Sequence, residues 1–191
     1  MNQASLDALT VALDLRDAYT RGHCDRVVAL ALALAAKLDV APPELGMLRI
    51  CALFHDVGKI GVPDAVLLKP GRLAPEEWEQ MKSHAEHGEK IVRATGVAGA
   101  ERLADVIRHH HESFDGSGYP DGLRGEAIPL LCRILLVVDA YDAMGSGRPY
   151  HRPRSHAQIM AILESESGSK LDPEVFRPFA ALIARSPMRV Q

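Results

Sequence analysis

Several histidines of this chain stand next to acidic residues, in short segments that could bind a metal ion. His55 and Asp56 are adjacent in "LFHDVGK", and three consecutive histidines, 109–111, lead into Glu112 in "HHHESF". Neutral imidazole nitrogens and carboxylate oxygens are ligands that suit Mn, Fe, Zn and similar ions. For any one of these residues alone, a hydrogen-bonded core histidine or a solvated helix end is an equally good interpretation.

Asp139 is a second candidate, because five apolar residues precede it in "RILLVVDAYDA". A buried carboxylate without a partner is costly, so a partner is expected, either an arginine or a metal. His23 in "GHCDRV" and His84 in "SHAEHG" are weaker candidates when each is taken alone. A single histidine of this kind is more often a surface or hydrogen-bonded residue.

A glycine-rich stretch follows the three histidines. Glycines at 116, 118, 122 and 125 permit backbone conformations that other residues resist, and they allow a ligand to approach closely. We therefore expect residues 112–127 to form a gate or wall of a substrate pocket. The alternative is an ordinary surface loop rich in turns.

Helices are expected to position these residues, because apolar positions recur at helical spacing along most of the chain. No strand-like alternation of useful length occurs, so the sequence predicts an all-α fold. Pro129 is expected in the first turn of its helix. The predicted helices cover residues of about 4–19, 23–38, 44–59, 75–95, 99–111, 129–144, 155–165 and 173–185.

Composition excludes several classes of protein. The 191 residues are 47% hydrophobic and 25% charged, with a formal net charge of −3, which suits one globular domain and gives no basic surface for a nucleic-acid polymer. No apolar run is long enough to span a membrane, and the N-terminus does not resemble a signal peptide. The three cysteines are odd in number and far apart, which argues against a framework of disulfide bonds. A reducing compartment, the cytoplasm, is therefore expected.

The separate segments become specific when they are taken together. In chain order they read "GHCDRV", "HDVGKIGVPD", "SHAEHG", "HHESFDGSGYPDGL" and "VVDAYDAM". This set resembles the HD-GYP family, a subgroup of the HD-domain metal-dependent phosphohydrolases, from about Asp14 to Phe179. The Gly118-Tyr119-Pro120 signature points to the subgroup, because the His-Asp pair alone is shared by many HD proteins.

The resemblance implies a fold and an activity. It implies one HD-domain-type helical bundle over residues 1–191, with a core of about 10–183 and an extended glycine-rich GYP loop. It also implies a phosphodiesterase that hydrolyses the bacterial second messenger cyclic di-GMP to linear pGpG, with further cleavage to GMP left open.

The resemblance also assigns roles to individual residues. Asp56 would bridge two metals, and Lys59 would approach the scissile phosphate, so these two are the predicted catalytic residues. Asp17, Thr20 and Arg148 would help to hold the dinucleotide together with Lys59, and Tyr119 would shape the pocket. The implied metal ligands are His23, His55, Asp56, His84, His110, His111 and Asp139.

Phosphodiester hydrolysis agrees with these residue types. Two metals about 3.5–4 Å apart can supply a bridging hydroxide at neutral pH and hold a phosphate oxygen. A nearby lysine adds a fixed positive charge. The expected cofactors are two divalent transition-metal ions, with Fe or Mn favoured and Zn, Ni or Co as alternatives. A third metal is not expected, because Tyr19 stands where some relatives have a glutamate.

One segment departs from the family pattern. Gly145, Gly147 and His151 replace the usual threonine, aspartate and basic residue, although Arg148 is retained. This change leaves two alternatives open. The first is a catalytically weak module that binds cyclic dinucleotides, or that contacts diguanylate cyclase (GGDEF-type) domains through Gly118, Tyr119 and Pro120. The second is an enzyme that hydrolyses a related cyclic dinucleotide. Whether the protein forms a homodimer is a separate question that the sequence leaves open.

Overall fold

The computed structural model describes residues 9, 11, 20–146 and 153–190. Within these residues the chain is helical, no strand forms, and Ser167 and Leu171 make one isolated β-bridge. The predicted all-α fold class is therefore confirmed. The helices in chain order are α1 (Thr20–Lys37), α2 (Pro42–Phe54), α3 (Asp64–Leu67), α4 (Pro75–Lys82), α5 (His84–Ala94), α6 (Ala100–His109), α7 (Leu130–Gly145), α8 (His156–Glu166) and α9 (Pro173–Ile183).

The core lies between α1 and α7, which both contain long apolar runs. Leu30 and Leu34 of α1 and Ile134 and Val138 of α7 are at most 1% exposed. The helix α2 packs against α1, and α8 and α9 cover α7. Each fully buried aliphatic side chain contributes about 1.5–3 kcal/mol. This core holds the helix that carries Asp139 rigidly within the protein.

The predicted helix over 44–59 ends earlier than expected, at Phe54. His55 is its C-cap, and the chain continues as a 3₁₀ turn over Val57–Gly61. This turn packs directly on α5. A continued α-helix would turn His55 and Asp56 away from each other by about 100°. The break therefore directs both side chains into the same space.

The predicted helix over 75–95 is two helices, α4 and α5, which meet at Ser83. The Ser83 hydroxyl donates to the carbonyl of Gln80, and its backbone N–H donates to the carbonyl of Glu79. The helix is interrupted there, so that His84 is the first residue of α5, and it is 2% exposed. The stretch predicted as irregular after residue 59 contains the short helix α3.

The GYP loop folds back on the end of α6 through backbone contacts. The buried carboxylate of Glu112 accepts hydrogen bonds from the N–H groups of Asp121 and Leu123, at 2.8 and 3.1 Å. Arg108 of α6 donates to both carboxylate oxygens of Asp121. At Gly118 a Cβ would lie 2.2 Å from the backbone nitrogen of Ser113, so only glycine fits there.

Some predictions concern residues outside the described part of the chain, namely most of the predicted helix over 4–19, including Asp17, and the segment 147–152, including Arg148 and His151. Across the described segments, no helix combines the length and the apolar character that crossing a bilayer requires. The predicted domain boundaries stay a prediction.

Candidate metal centre

Side chains from five separate elements converge on one buried centre. His23 comes from α1, His55 and Asp56 follow α2, and His84 begins α5. The remaining three are His110 and His111, just after α6, and Asp139 in α7. The structure thus brings together all seven of the residues that the sequence resemblance implied as ligands.

These side chains form two groups of three, each with donor atoms within 4.8 Å of one another. The His23 trio consists of His23, His55 and Asp139. In it, Nε2 of His23 lies 3.1 Å from an oxygen of Asp139 and 3.4 Å from Nε2 of His55. The His84 trio consists of His84, His110 and His111. Each trio could hold one metal ion.

Asp56 lies between the two trios, with one carboxylate oxygen toward each. Its Oδ2 is 3.5 Å from Nε2 of His55, and its Oδ1 is 3.7 Å from Nε2 of His84. Asp56 is only 5% exposed. A carboxylate in this position can contribute one oxygen to an ion in each group.

Hydrogen bonds fix the direction of three imidazole rings. Nδ1 of His55, His84 and His110 lies 2.9, 2.7 and 2.6 Å from the carbonyl oxygen three residues earlier. A carbonyl oxygen only accepts, so each Nδ1 carries a proton, and in the neutral form of each ring the lone pair on Nε2 can bind a metal. Metal-binding histidines commonly donate their other nitrogen in this way. The donor set of imidazole nitrogen and carboxylate oxygen therefore fits divalent transition metals.

The fourth ring is held by a residue that sequence reasoning missed. Nδ1 of His23 lies 2.7 Å from Oδ2 of Asp142, which is 3% exposed. Arg26 donates to both oxygens of the same carboxylate, at 2.6 and 3.0 Å. Asp142 stands three residues after Asp139, on the same face of α7. This i, i+3 spacing in "VVDAYDAM" was the signal that could have found it.

We expect the substitution Asp142→Asn to weaken metal binding by about 10- to 100-fold, as loss of an outer-shell partner typically does. An asparagine side chain has a single acceptor oxygen, so it cannot serve His23 and both Arg26 contacts together. The measurement is a metal titration of the purified protein, followed by bound metal and melting temperature. Asp25→Asn, an exposed change on α1, is the control. Equal affinity in both variants would contradict the role of Asp142.

The pKa values of the His84 trio favour coordination. Burial lowers the pKa of His110 well below its ordinary range, and the adjacent imidazoles lower it further. Burial, together with the nearby His84, lowers the pKa of His111 to about 3. Burial also lowers the pKa of His84. These rings are neutral at pH 7, which is the form that binds a metal.

The His23 trio behaves differently. Burial opposes protonation of His23, but hydrogen bonds to Asp139 and Asp142 outweigh it and raise its pKa to about 9. Burial likewise opposes protonation of His55, and the charges of Asp56 and Asp139 raise its pKa nevertheless. A metal entering this trio must therefore displace protons, and its affinity falls as the pH falls.

Lys59 and Tyr119 both reach the centre. Lys59 is 16% exposed, and its Nζ donates to Asp56 at 2.6 Å. The ring of Tyr119 lies 4.9 Å from that of His111 and 6.4 Å from that of His84. Thr20 begins α1, but the structure does not describe its side chain. Asp17 and Arg148 lie outside the described residues.

His87, His109 and His156 lie outside the proposed ligand set and are all at least partly buried. Nε2 of His109 lies 2.8 Å from Asp121, and its Nδ1 lies 3.2 Å from Asp105. The ring of His87 packs where a Cβ on Gly61 would lie, and Nδ1 of His156 pairs with the hydroxyl of Tyr141 at 2.9 Å.

His109 belongs to a third cluster of possible ligands, with Glu112 and Asp121, which sequence reasoning also missed. Its groups bind one another, two backbone N–H groups and Arg108. We therefore interpret it as the anchor of the GYP loop.

Gly145, one of the departures from the family pattern, has a packing reason. A Cβ at this position would lie 2.3 Å from a methyl group of Val190. The backbone N–H of Val190 donates to the hydroxyl of Tyr141, at 3.0 Å. The C-terminal segment thus occupies the space that a threonine side chain would need.

Comparisons with known proteins agree with this arrangement. A family model described as "HD domain" matches residues 8–175. A cyclic di-GMP phosphodiesterase of Thermotoga maritima is 38% identical over 177 residues, which cover 93% of this chain and 48% of that protein. The 3′3′-cGAMP-specific phosphodiesterase 3 of Vibrio cholerae is 35% identical over 180 residues, which cover 92% of this chain and 39% of that protein. The chain spans less than half the length of these curated relatives.

A solved structure shows the shared fold. The crystal structure of a cyclic GMP-AMP specific phosphodiesterase of Vibrio cholerae matches with a TM-score of 0.73 at 20% identity. The match covers 96% of this chain and 49% of that one.

Proposed function

The chain belongs to the HD-domain family, in its HD-GYP branch, and we propose that its metal centre hydrolyses cyclic dinucleotides. The proposed substrate is cyclic di-GMP, opened to linear pGpG and cut further to GMP. The curated relatives support a phosphodiesterase, since their names describe cyclic di-GMP and 3′3′-cGAMP phosphodiesterases. The known fold alone would not favour a substrate.

One observation carries the proposal. The Asp56 carboxylate lies between the two trios, with its oxygens 3.5 and 3.7 Å from one imidazole nitrogen of each. Buried carboxylates need partners, and an array of seven donor side chains is far more than a structural role requires. We propose that His23, His55 and Asp139 hold one divalent ion, His84, His110 and His111 hold another, and Asp56 bridges them.

The charges of this centre suit a phosphodiester. When bound, two divalent ions would activate water and offset the charge that develops at phosphorus. The seven proposed ligands are the two carboxylates of Asp56 and Asp139 and five imidazole rings that are neutral when they bind a metal, so the loaded centre is positively charged overall. We propose Fe or Mn as the metal, with Zn, Ni or Co as alternatives, because imidazole and carboxylate ligands suit these ions.

The chain's own residues would orient the substrate. Lys59 is one turn beyond His55 and already lies at the centre, where its Nζ contacts Asp56. We propose that it donates a hydrogen bond to a non-bridging phosphoryl oxygen and holds it through the reaction. Tyr119 closes the side of the centre next to His111. Asp17, Thr20 and Arg148 remain the proposed contacts to the rest of the dinucleotide.

A binding or interaction module is the second candidate. It is favoured by the loss of the usual polar residues at 145 and 147. Its proposed partner is a diguanylate cyclase (GGDEF-type) domain at Gly118, Tyr119 and Pro120. However, the Tyr119 ring faces the metal centre and Gly118 is packed against Ser113, so the exposed residues nearest to this motif are Ser117, Asp121 and Gly122. A cytoplasmic location and a homodimer also stay predictions.

The test is hydrolysis of cyclic di-GMP and 3′3′-cGAMP by protein prepared without oxygen and loaded with Mn²⁺ or Fe²⁺. We expect metal-dependent formation of linear and mononucleotide products, resolved by chromatography, and close to two bound metal ions per chain. Protein treated with a chelator is the control. Full metal occupancy without any product from either substrate would contradict the enzyme and favour the binding module.

A further inference from the structure

The chain's one tryptophan lies close to the metal centre and is largely exposed. Trp78 belongs to α4 and is 47% exposed. A tryptophan side chain is the largest apolar group in proteins and is usually well buried. Only Ser83 separates α4 from His84, the first residue of α5. The exposed Trp78 side chain therefore lies on a helix that leads directly to His84 of the metal centre.

A row of rings connects Trp78 to the proposed metal ligands. The Trp78 ring lies 6.3 Å from that of Tyr119, at 82° to it. The Tyr119 ring lies 4.9 Å from that of His111, at 31°. Because the edge-to-face contact with Tyr119 supports one side of the indole, the exposed remainder of the ring has a defined orientation. Trp78 thus forms an aromatic surface just beyond Tyr119.

We propose that Trp78 stacks on a purine base of the bound nucleotide and so contributes to substrate affinity and position. This inference rests on the proposed function. In a nucleotide the ribose separates the base from the phosphate, so a phosphate at the metal centre requires the base to bind beyond the ligand shell. Trp78 lies in that zone. Aromatic side chains bind bases by stacking whatever the base, because every base has a π-face.

The charged groups beside Trp78 are compatible with this role. Nζ of Lys82, on the same helix, lies 5.7 Å from the centroid of the Tyr119 ring and 2.8 Å from Glu79. The positive charge of Lys82 and the negative charge of Glu79 offset each other. Glu79, the residue after Trp78, is therefore not an unpaired negative charge that would repel a nucleotide.

The test uses GMP, which carries a base and is not a diester, and ribose 5-phosphate, which has no base. Both are titrated into metal-loaded protein while tryptophan fluorescence is recorded, and their dissociation constants are measured by calorimetry. We expect GMP, but not ribose 5-phosphate, to change the fluorescence. Trp78→Ala should weaken GMP binding by about 5- to 150-fold and leave ribose 5-phosphate binding unchanged. Trp78→Phe should retain most of the affinity.

The outcomes separate this inference from the proposed function. If Trp78→Ala, with an unchanged melting temperature, binds GMP as well as the parent protein does, the stacking role is wrong even when cyclic di-GMP is hydrolysed. If GMP affinity depends on Trp78 but no cyclic dinucleotide is cleaved, the stacking role stands and the proposed reaction fails. Leu68→Ala, another exposed apolar residue, is the control for surface hydrophobicity.

Discussion

Asp56→Asn is expected to lower cyclic dinucleotide hydrolysis by roughly 1,000-fold, more than the roughly 10- to 100-fold that loss of an outer-shell partner costs. Asparagine keeps the volume of aspartate but has a single oxygen and no charge. It could not give one oxygen to each trio, as the positions of Oδ1 and Oδ2 allow. The measurement is the initial rate at saturating Mn²⁺, together with the metal content of each preparation.

The ionisation of Asp56 supports this expectation. Burial would raise the pKa of the carboxyl, but the charges of Lys59 and His55 hold it well below its ordinary value. The group is therefore a carboxylate at every pH at which the protein would be assayed. Asp105→Asn, a half-exposed change on α6, is the control. If Asp56→Asn keeps its activity while its bound metal is unchanged, the carboxylate does not bridge.

Gly58→Ala is expected to destabilise the metal-free protein by about 3 kcal/mol or more, at the upper end of overpacking effects. A Cβ on Gly58 would lie 1.8 Å from the carbonyl oxygen of His84 and 2.4 Å from the backbone nitrogen of Gly88. Both are backbone atoms of α5, which cannot yield as a flexible side chain can. The 3₁₀ turn would have to move away from α5, and Asp56 would move away from His84.

The measurement is the free energy of unfolding in urea, with metal content as a second readout. The matched control is Gly46→Ala in α2, where nothing lies within 4 Å of the added methyl group. This change should stabilise the protein by about 0.5–1 kcal/mol, because glycine is unfavourable inside a helix. Equal stability for the two variants would show that the turn and α5 are not in firm contact.

Local sequence was enough to predict the helices that have a strong apolar pattern. The apolar run before Asp139 predicted α7, and the helices α8 and α9 begin within about a residue of their predicted starts. These helices are predicted from helical periodicity and from capping, and both of these depend only on neighbours within a few residues. The candidate ligands were also recognisable, because their short motifs occur in a specific order.

Helix ends near the centre required the tertiary structure. The ends of α2 at Phe54 and of α4 at Lys82 depend on how the 3₁₀ turn and α5 pack together at Gly58. The residues near these positions carry no strong helix-breaking signal, because the close backbone approach at Gly58 depends on α5, which is distant in sequence. Sequence patterns therefore extended both helices too far.

The sequence by itself determined the all-α class and the order of the motifs, and its resemblance to the HD-GYP family implied the seven donor side chains of the centre. Only the tertiary structure decided their grouping into two trios, the position of Asp56 between them, and the support of His23 by Asp142, 119 residues away. The physical reason is the sequence separation between the residues that determine each property. Helix formation is set by nearby residues, whereas the distances among these donors depend on how α1, α5 and α7 pack around one core.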